Sequence, residues 1–254
     1  MSSEFQGATA LITGASRGIG AATAVALARE GVSRLLLHYG SHREGAERTA
    51  EAACRAGAHC ELLQAQLDCW EGVESFVEQL KQIQAPVDIL INNAGHLIQR
   101  AGLLDFTPEL YERVMTLNVK SAWFITQAVA PRMIERGGGV VVFLSSIAAR
   151  NGGGPGATVY AAAKAAISAM TKGLAKELGP QGIRVNAVSP GTVDNDFHAR
   201  YSTPEMLEAM RRSTVAGRLG TNEEVADLIV FLCSEKSRYI YGQTIEINGG
   251  LYMI

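Results

Sequence analysis

Tyr160 and Lys164 stand four residues apart, separated by three alanines. On a helix this spacing puts both side chains on one face, one turn apart. A phenol ordinarily titrates near ~10, too high for proton exchange at neutral pH. An ammonium about 4 Å away in a medium of ε about 20 contributes roughly 4 kcal/mol, equivalent to about three pKa units. Such a pair can give a proton to a developing alkoxide and take it back. Ser145 and Ser146 close the apolar run Val140–Leu144, just ahead of the glycine-rich stretch Arg150–Thr158. A serine hydroxyl at that point can hold and polarise a substrate oxygen, and either serine is placed to do so.

A second constellation lies near the start. Thr13-Gly14-Ala15-Ser16-Arg17-Gly18-Ile19-Gly20 follows an apolar run and opens a helical pattern. Its spacing is G-x-x-x-G-x-G, not the more often quoted G-x-G-x-x-G. Glycines allow the tight turn, and backbone N–H groups at a helix N-terminus attract phosphate. Gly14, Ser16, Arg17, Gly18, Ile19 and Gly20 are therefore expected to cradle a dinucleotide. The next apolar run ends in Tyr39-Gly40-Ser41-His42-Arg43. An NAD site places an acid there for the ribose 2′-hydroxyl, and none is present. Arg17 and Arg43 offer charge-assisted forks to a 2′-phosphate instead, with Tyr39, Gly40 and Ser41 between them. NADP(H) is favoured over NAD(H).

These residues need a scaffold. Apolar runs at Ala8–Thr13, Leu35–Tyr39, His59–Gln64, Val87–Asn92, Val140–Leu144, Arg184–Ala187 and Thr244–Ile247 read as strands. Helical patterns alternate with them near 18–30, 43–56, 71–83, 109–135, 158–178 and 222–234. The alternation predicts an α/β fold: one doubly wound Rossmann-type domain over 1–254, with a parallel sheet of about seven strands and helices on both faces. The chain has 254 residues, 47% hydrophobic, and a net charge of −2. With no basic block and no apolar run of spanning length, neither nucleic acid nor membrane is an expected partner. The opening Met1–Gly7 lacks the basic head and apolar segment of a secretory signal. Cys54, Cys60, Cys69 and Cys233 make no C-x-x-C pair, so no metal site or disulfide is expected, and the setting is expected to be cytoplasmic.

Taken together the motifs resemble the short-chain dehydrogenase/reductase family along essentially the whole chain. They occur in order: Thr13–Gly20, Asn92-Asn93-Ala94-Gly95, Asn118 in Leu117-Asn118-Val119, Ser146, Tyr160 with Lys164, Ser189-Pro190-Gly191, then Tyr241-Gly242-Gln243 and Asn248-Gly249-Gly250. The resemblance implies that Tyr160 is the general acid of reduction and the base of oxidation. It implies that Lys164 lowers the Tyr160 pKa and binds ribose hydroxyls, that Ser146 holds the substrate oxygen, and that Asn118 positions a water linking Lys164 to solvent. Asn92, Ala94 and Gly95 would line the adenosine ribose. Gln66 or the Leu67 backbone would meet adenine, and Val193, after Pro190 and Gly191, would meet the carboxamide. The sequence departs from the family pattern at Gln66, Asn195 and Asn248, and the loop from Ser146 to Tyr160 is one residue longer than usual.

The resemblance also implies a homotetramer built through the helices at about 109–135 and 158–178, where Trp123, Phe124 and Val129 exceed the needs of one core. The apolar tail Gly250–Ile254 would join an interface. The segment 194–218 is read as a lid bearing Asp196, His198, Arg200, Tyr201, Arg211 and Arg212. This polar set either solvates the outer face of the lid or faces a small polar ketone derived from a sugar or sugar acid. The alternatives are a 3-oxoacyl thioester (acyl carrier protein) reductase and, in another class, a catalytically silent NADP-binding regulator. The complete set Asn118, Ser146, Tyr160 and Lys164 favours the enzyme.

Overall fold

Seven apolar runs pair, all parallel, into one sheet: β1 (Thr9–Ile12), β2 (Arg34–Tyr39), β3 (His59–Gln64), β4 (Ile89–Asn92), β5 (Gly139–Leu144), β6 (Ile183–Pro190) and β7 (Thr244–Ile247). The computed structural model describes residues 4–83 and 86–253; Met1, Ile254 and the His198 side chain lie outside the described residues. The strand order is β3-β2-β1-β4-β5-β6-β7. The winding reverses between β1 and β4, and the crevice at such a switch point, at the carboxyl ends of the strands, is where ligands bind in open α/β sheets.

Side chains alternate across a strand, and both faces here are apolar. Leu11, Leu36, Leu90, Val141, Phe143 and Val185 enter one core. Their chain neighbours Ala10, Ile12, Leu35, Leu37, Ile89, Ile91, Val140 and Val142 enter the other. Helices α3 (Trp70–Gln82), α5 (Ser121–Glu135) and α7 (Thr158–Leu178) cover the first, through Phe76, Ile125 and Ile167. Helices α1 (Gly18–Arg29), α2 (Arg43–Arg55) and α10 (Asn222–Cys233) cover the second, through Leu27, Ala53 and Ile229.

The long helix expected at 109–135 is instead three pieces. Helix α4 (Pro108–Met115) passes into a π-helical turn, Thr116–Lys120, and then into α5, with Ser121 N–H reaching back five residues to Thr116 O. Wide turns of this kind frequently mark functional sites, and Asn118 sits within this one. Of the expected interface residues, Val129 is buried in the chain's own core and Phe124 packs against that core, in edge contact with Trp70; Trp123 remains 39% exposed. The short α6 (Ala148–Asn151) precedes α7. The lid holds two helices, α8 (Asp196–Tyr201) and α9 (Pro204–Ser213), the latter capped by the Thr203 hydroxyl. No helix among the described residues is long and apolar enough to cross a membrane.

Arg184 on β6 is buried, and no carboxylate is among its partners. Its guanidinium donates to Leu232 O at 2.8 Å, Cys233 O and Ser234 O at 3.0 Å and Ser237 Oγ at 2.6 Å. It thereby caps the carboxyl end of α10, where carbonyls lack helical partners and a cation is favoured. Arg184→Met strands these buried acceptors and should cost about 3–5 kcal/mol. Urea unfolding checks this; an unaltered midpoint would contradict the capping role.

Candidate active site

The phosphate turn is held by its own chain rather than by chance of fit. Thr13 Oγ1 accepts from the N–H groups of Asn93 and Ala94, both at 3.0 Å. Asn93 Nδ2 returns hydrogen bonds to Thr13 O at 2.8 Å and Gly14 O at 3.0 Å. This staple locks the end of β1 to the end of β4 across the switch point. A Cβ at Gly20 would fall 2.4 Å from Gly14 O, so only glycine lets the turn close. Gly14 N–H donates to His38 Nδ1 at 3.1 Å, which leaves the His38 proton on Nε2, facing Ala65 O at 3.1 Å. Burial keeps this ring neutral, its pKa lowered to about 4. His38 thus ties the turn to β2 and to the residue after β3, a role that nothing in the sequence motif announces.

Gly14, Ser16, Arg17, Gly18, Ile19, Gly40, Ser41, Gln66, Leu67, Ala94, Gly95, Ser146, Tyr160, Lys164, Pro190, Gly191 and Val193 line one cleft of about 780 Å³. The turn residues, with their glycine-only cradle, fit a dinucleotide pyrophosphate. Five expected site residues are not part of that lining. Gly20 packs under the turn. Tyr39 is buried in the sheet end, with Gly40, Ser41 and His42 at the surface instead. Arg43 is turned to Glu47, at 2.8 Å. Asn92 donates to Thr126 Oγ1 at 2.9 Å, beneath α5. Asn118 donates through Nδ2 to Val114 O at 2.9 Å and His96 O at 3.0 Å, while its buried Oδ1 has no partner among the described residues. A methyl group on Gly95 would fall 2.5 Å from that Oδ1 and 2.8 Å from Lys164 Nζ, so both atoms converge on the space this glycine leaves.

The two serines part company. Ser145 Oγ donates to Lys164 O at 2.9 Å and meets Ser168 Oγ at 2.8 Å, fastening β5 to α7. Ser146 faces the cleft beside Tyr160, its Oγ accepting from Ala148 N–H at 3.1 Å. Lys164 Nζ donates to Leu144 O at 2.8 Å and lies 5.6 Å from the Tyr160 ring centroid. The expected lowering joins the Lys164 ammonium to the positive charge of an oxidised nicotinamide; in the protein by itself, burial pushes the Tyr160 phenol up to about 12 against the opposing influence of the Ser146 hydroxyl, and pushes the Lys164 ammonium down to about 8.

At the far end of the cleft stand residues that the motifs did not mark: His96, Arg100, Phe197, Met206, Met210 and Leu251. Leu251 belongs to the tail, so that segment reaches the site, while Tyr252 and Met253 are exposed. Asn195 opens α8, accepting from Phe197 N–H and donating to Asn222 Oδ1 at 3.0 Å. Val193 pairs with Gly220 in a parallel bridge that closes the lid base.

A family model described as enoyl-(acyl carrier protein) reductase matches residues 14–252. The chain belongs to the short-chain dehydrogenase/reductase family. This dehydrogenase is an oxidoreductase, and its relatives span the whole chain. It is 38% identical to an uncharacterised oxidoreductase, YmfI, of Bacillus subtilis, over 95% of this chain and 98% of that one. It is 36% identical to the 3-oxoacyl-[acyl-carrier-protein] reductase FabG of Staphylococcus aureus, over 96% and 98%. Among solved structures, a candidate NAD(P)-dependent gluconate 5-dehydrogenase from Beutenbergia cavernae, with NADP at low occupancy, superposes with a TM-score of 0.89 at 32% identity, covering 97% of each chain. A short-chain dehydrogenase from Burkholderia cenocepacia in complex with NADP gives 0.87 at 33%, covering 97% and 98%.

The hydrogen bonds separate the serines experimentally. Ser146→Ala should lower kcat/KM by about 10²-fold or more with little change in stability. Ser145→Ala should cost about 1–3 kcal/mol of stability, by loss of a buried hydrogen-bonded hydroxyl. Steady-state kinetics and urea unfolding of both variants check this, and the reverse pattern would contradict it.

Proposed function

We propose that this dehydrogenase uses NADP(H) to interconvert a small polar ketone and its secondary alcohol. The observation that carries this reading is the convergence of Ser146, Tyr160 and Lys164 on one cleft whose other half is a phosphate turn. When bound, the nicotinamide supplies or accepts the hydride, and its oxidised ring adds a positive charge near the phenol. The protein's share is the proton. Ser146 holds the carbonyl oxygen, and Tyr160 donates to it as charge develops. With a pKa raised to about 12, the phenol is fully protonated at neutral pH, as a donor must be. In oxidation the same group must accept a proton, and the nearby positive charges then favour phenolate. Lys164 binds the ribose hydroxyls, and Asn118 Oδ1 holds a water that links Lys164 to solvent. Reduction of a 3-oxoacyl thioester remains a second reading, favoured by the 36% identity to FabG and by Phe197, Met206, Met210 and Leu251 at the lid end of the cleft; His96, Arg100 and Arg200 beside them favour the smaller polar substrate. We further propose a cytoplasmic homotetramer joined through α4, α5 and α7, for which Tyr111 and Trp123 leave apolar surface. A panel of ketones with NADPH, followed by absorbance loss, tests the reaction; no turnover of any would overturn it.

The choice of NADP rests on a comparison of magnitudes. Arg43 and Arg17 are engaged with Glu47 and Asp196, but both pairs are exposed, the second at 3.7 Å. Breaking such a pair costs about 0.3–1 kcal/mol, whereas a charge-assisted bond to phosphate contributes about 1.5–3 kcal/mol. Both arginines can therefore be drawn to a 2′-phosphate beside Ser41 and Gly40. NADPH should bind at least about tenfold more tightly than NADH, and the double variant Arg17→Gln/Arg43→Gln should lose most of that ratio. Fluorescence titration of both nucleotides checks this; equal dissociation constants in the wild type would contradict it.

Lys164 gives a pH signature. Burial lowers its pKa from 10.5 to about 8, so the folded state binds fewer protons than the unfolded chain between those values. Stability therefore rises, not falls, as pH climbs through that window. Cofactor affinity moves the other way: above about pH 8 the ammonium donor is lost and ribose binding weakens. Titrations from pH 6 to about 10 should show this fall in the wild type and a flat, weaker profile in Lys164→Met. Parallel profiles would contradict it.

A further inference from the structure

We propose that the lid end of the cleft is a carboxylate receptor, formed by Arg200 and the Nε2–H of His96, so that the substrate is an anionic keto or hydroxy acid. The inference rests on the oxidoreductase reading and names the substrate class of that same site.

His96 is fixed as a donor. Its Nδ1 accepts from Ile98 N–H at 2.9 Å, so the proton of the neutral ring is on Nε2. Nε2 makes no hydrogen bond among the described residues, and the ring lines the cleft. Burial, and secondarily the charge of Arg200, lower its pKa to about 4, so the ring is neutral at neutral pH.

The backbone that aims this ring is strained. Ile98 has φ +65°, and Gln99 N–H closes back on Leu97 O at 2.8 Å. A β-branched residue in the left-handed region persists only where its surroundings force it, and such residues cluster at ligand sites. Here the surroundings are the lid. Tyr201 Oη lies 3.2 Å from His96 Nδ1 and 3.3 Å from Ile98 O. Arg100 donates to Tyr201 O and Pro155 O, both at 2.9 Å. Three loops are thereby locked around the ring.

Arg200 is next to Tyr201 and lays its guanidinium 5.3 Å from the Tyr201 ring centroid. That ring in turn stacks on His96 at 6.3 Å and 23°. Phe197 bridges the other way, 5.1 Å from Tyr201 and 5.9 Å from Tyr160. The row runs from the proton donor to the cation with two rings between, Phe197 and Tyr201, room for a substrate with several carbons between its carbonyl and its carboxylate. Charge pairing leaves Arg200 available. The two acids lining the cleft are Asp68, held by Arg113 at 2.6 Å, and Asp196, facing Arg17 at 3.7 Å. Arg200 has no ion pair among the described residues. Unlike Arg17, which sits in the glycine turn, it stands on the lid beside Tyr201, whose hydroxyl contacts His96, so it addresses substrate and not cofactor.

The test uses the full chain saturated with NADP⁺. Isothermal titration compares gluconate and shorter aldonates, each against its uncharged alditol. An aldonate should bind at least about tenfold more tightly than its alditol. Arg200→Gln should erase that ratio while leaving NADP⁺ affinity within about twofold, and Arg200→Lys should keep part of it. Equal affinities, binding by neither, or a ratio that survives in Arg200→Gln overturns the receptor. Turnover of neutral ketones with NADPH, measured alongside, separates the two readings: if it persists while the ratio is absent, the receptor fails and the reductase stands. If NADP⁺ itself does not bind, the reductase reading fails.

Discussion

A buried ammonium with no carboxylate beside it among the described residues is the constraint around which this site is arranged. Lys164 is 3% exposed, and burial is the only influence that shifts its pKa, from 10.5 to about 8. Keeping it charged at neutral pH costs about 3 kcal/mol, tolerable only where dipoles replace the lost water. Leu144 O, at the end of β5, is one such dipole. Ser145 fixes the backbone of the Lys164 turn to the same strand end. Asn118 Oδ1, presented by the π-helical turn, faces the same space across Gly95. Strand end, helix, wide turn and glycine all serve one charge, and Tyr160 lies within its field.

The sheet supplies the rest by topology. Because β1 and β4 are neighbours though distant in sequence, the Thr13–Asn93 staple can form, and it holds the phosphate turn against the strand end that leads to Gly95 and His96. The nucleotide half and the proton-transfer half of the cleft are therefore one rigid unit. The lid is attached to this unit through several contacts, among them the Val193–Gly220 bridge at its base and the Arg100–Tyr201 and Tyr201–His96 contacts, so residues outside the motifs shape the substrate end.

What was legible in the sequence follows from physical range. Strands such as Leu35–Tyr39 were visible because both faces are buried, giving unbroken apolar runs, and the glycine turn was visible because positive φ and close approach admit little else. The break at Thr116–Lys120 was not, since a π turn keeps helical composition. Helix α8, at six residues, is too short to show a period. His38, His96 and Arg100 act through tertiary contacts, such as His38 to the turn 24 residues away, which no local pattern encodes. That Tyr39 is buried in the sheet end, while the chain reaches the cleft there through Gly40 and Ser41, is likewise set by tertiary packing. Nor does the sequence give the burial of Tyr160, which raises its phenol against any nearby positive charge.

The central claim is that Tyr160 carries the proton and does little else. Single-turnover reduction settles it: protein loaded with NADPH is mixed with any ketone the wild type reduces, and nucleotide absorbance is followed in wild type and Tyr160→Phe. The variant should bind NADPH with unchanged affinity while hydride transfer slows by about 10²–10⁴-fold, the usual contribution of a positioned general acid. Transfer in Tyr160→Phe at a rate near that of the wild type, with NADPH bound, would contradict the account.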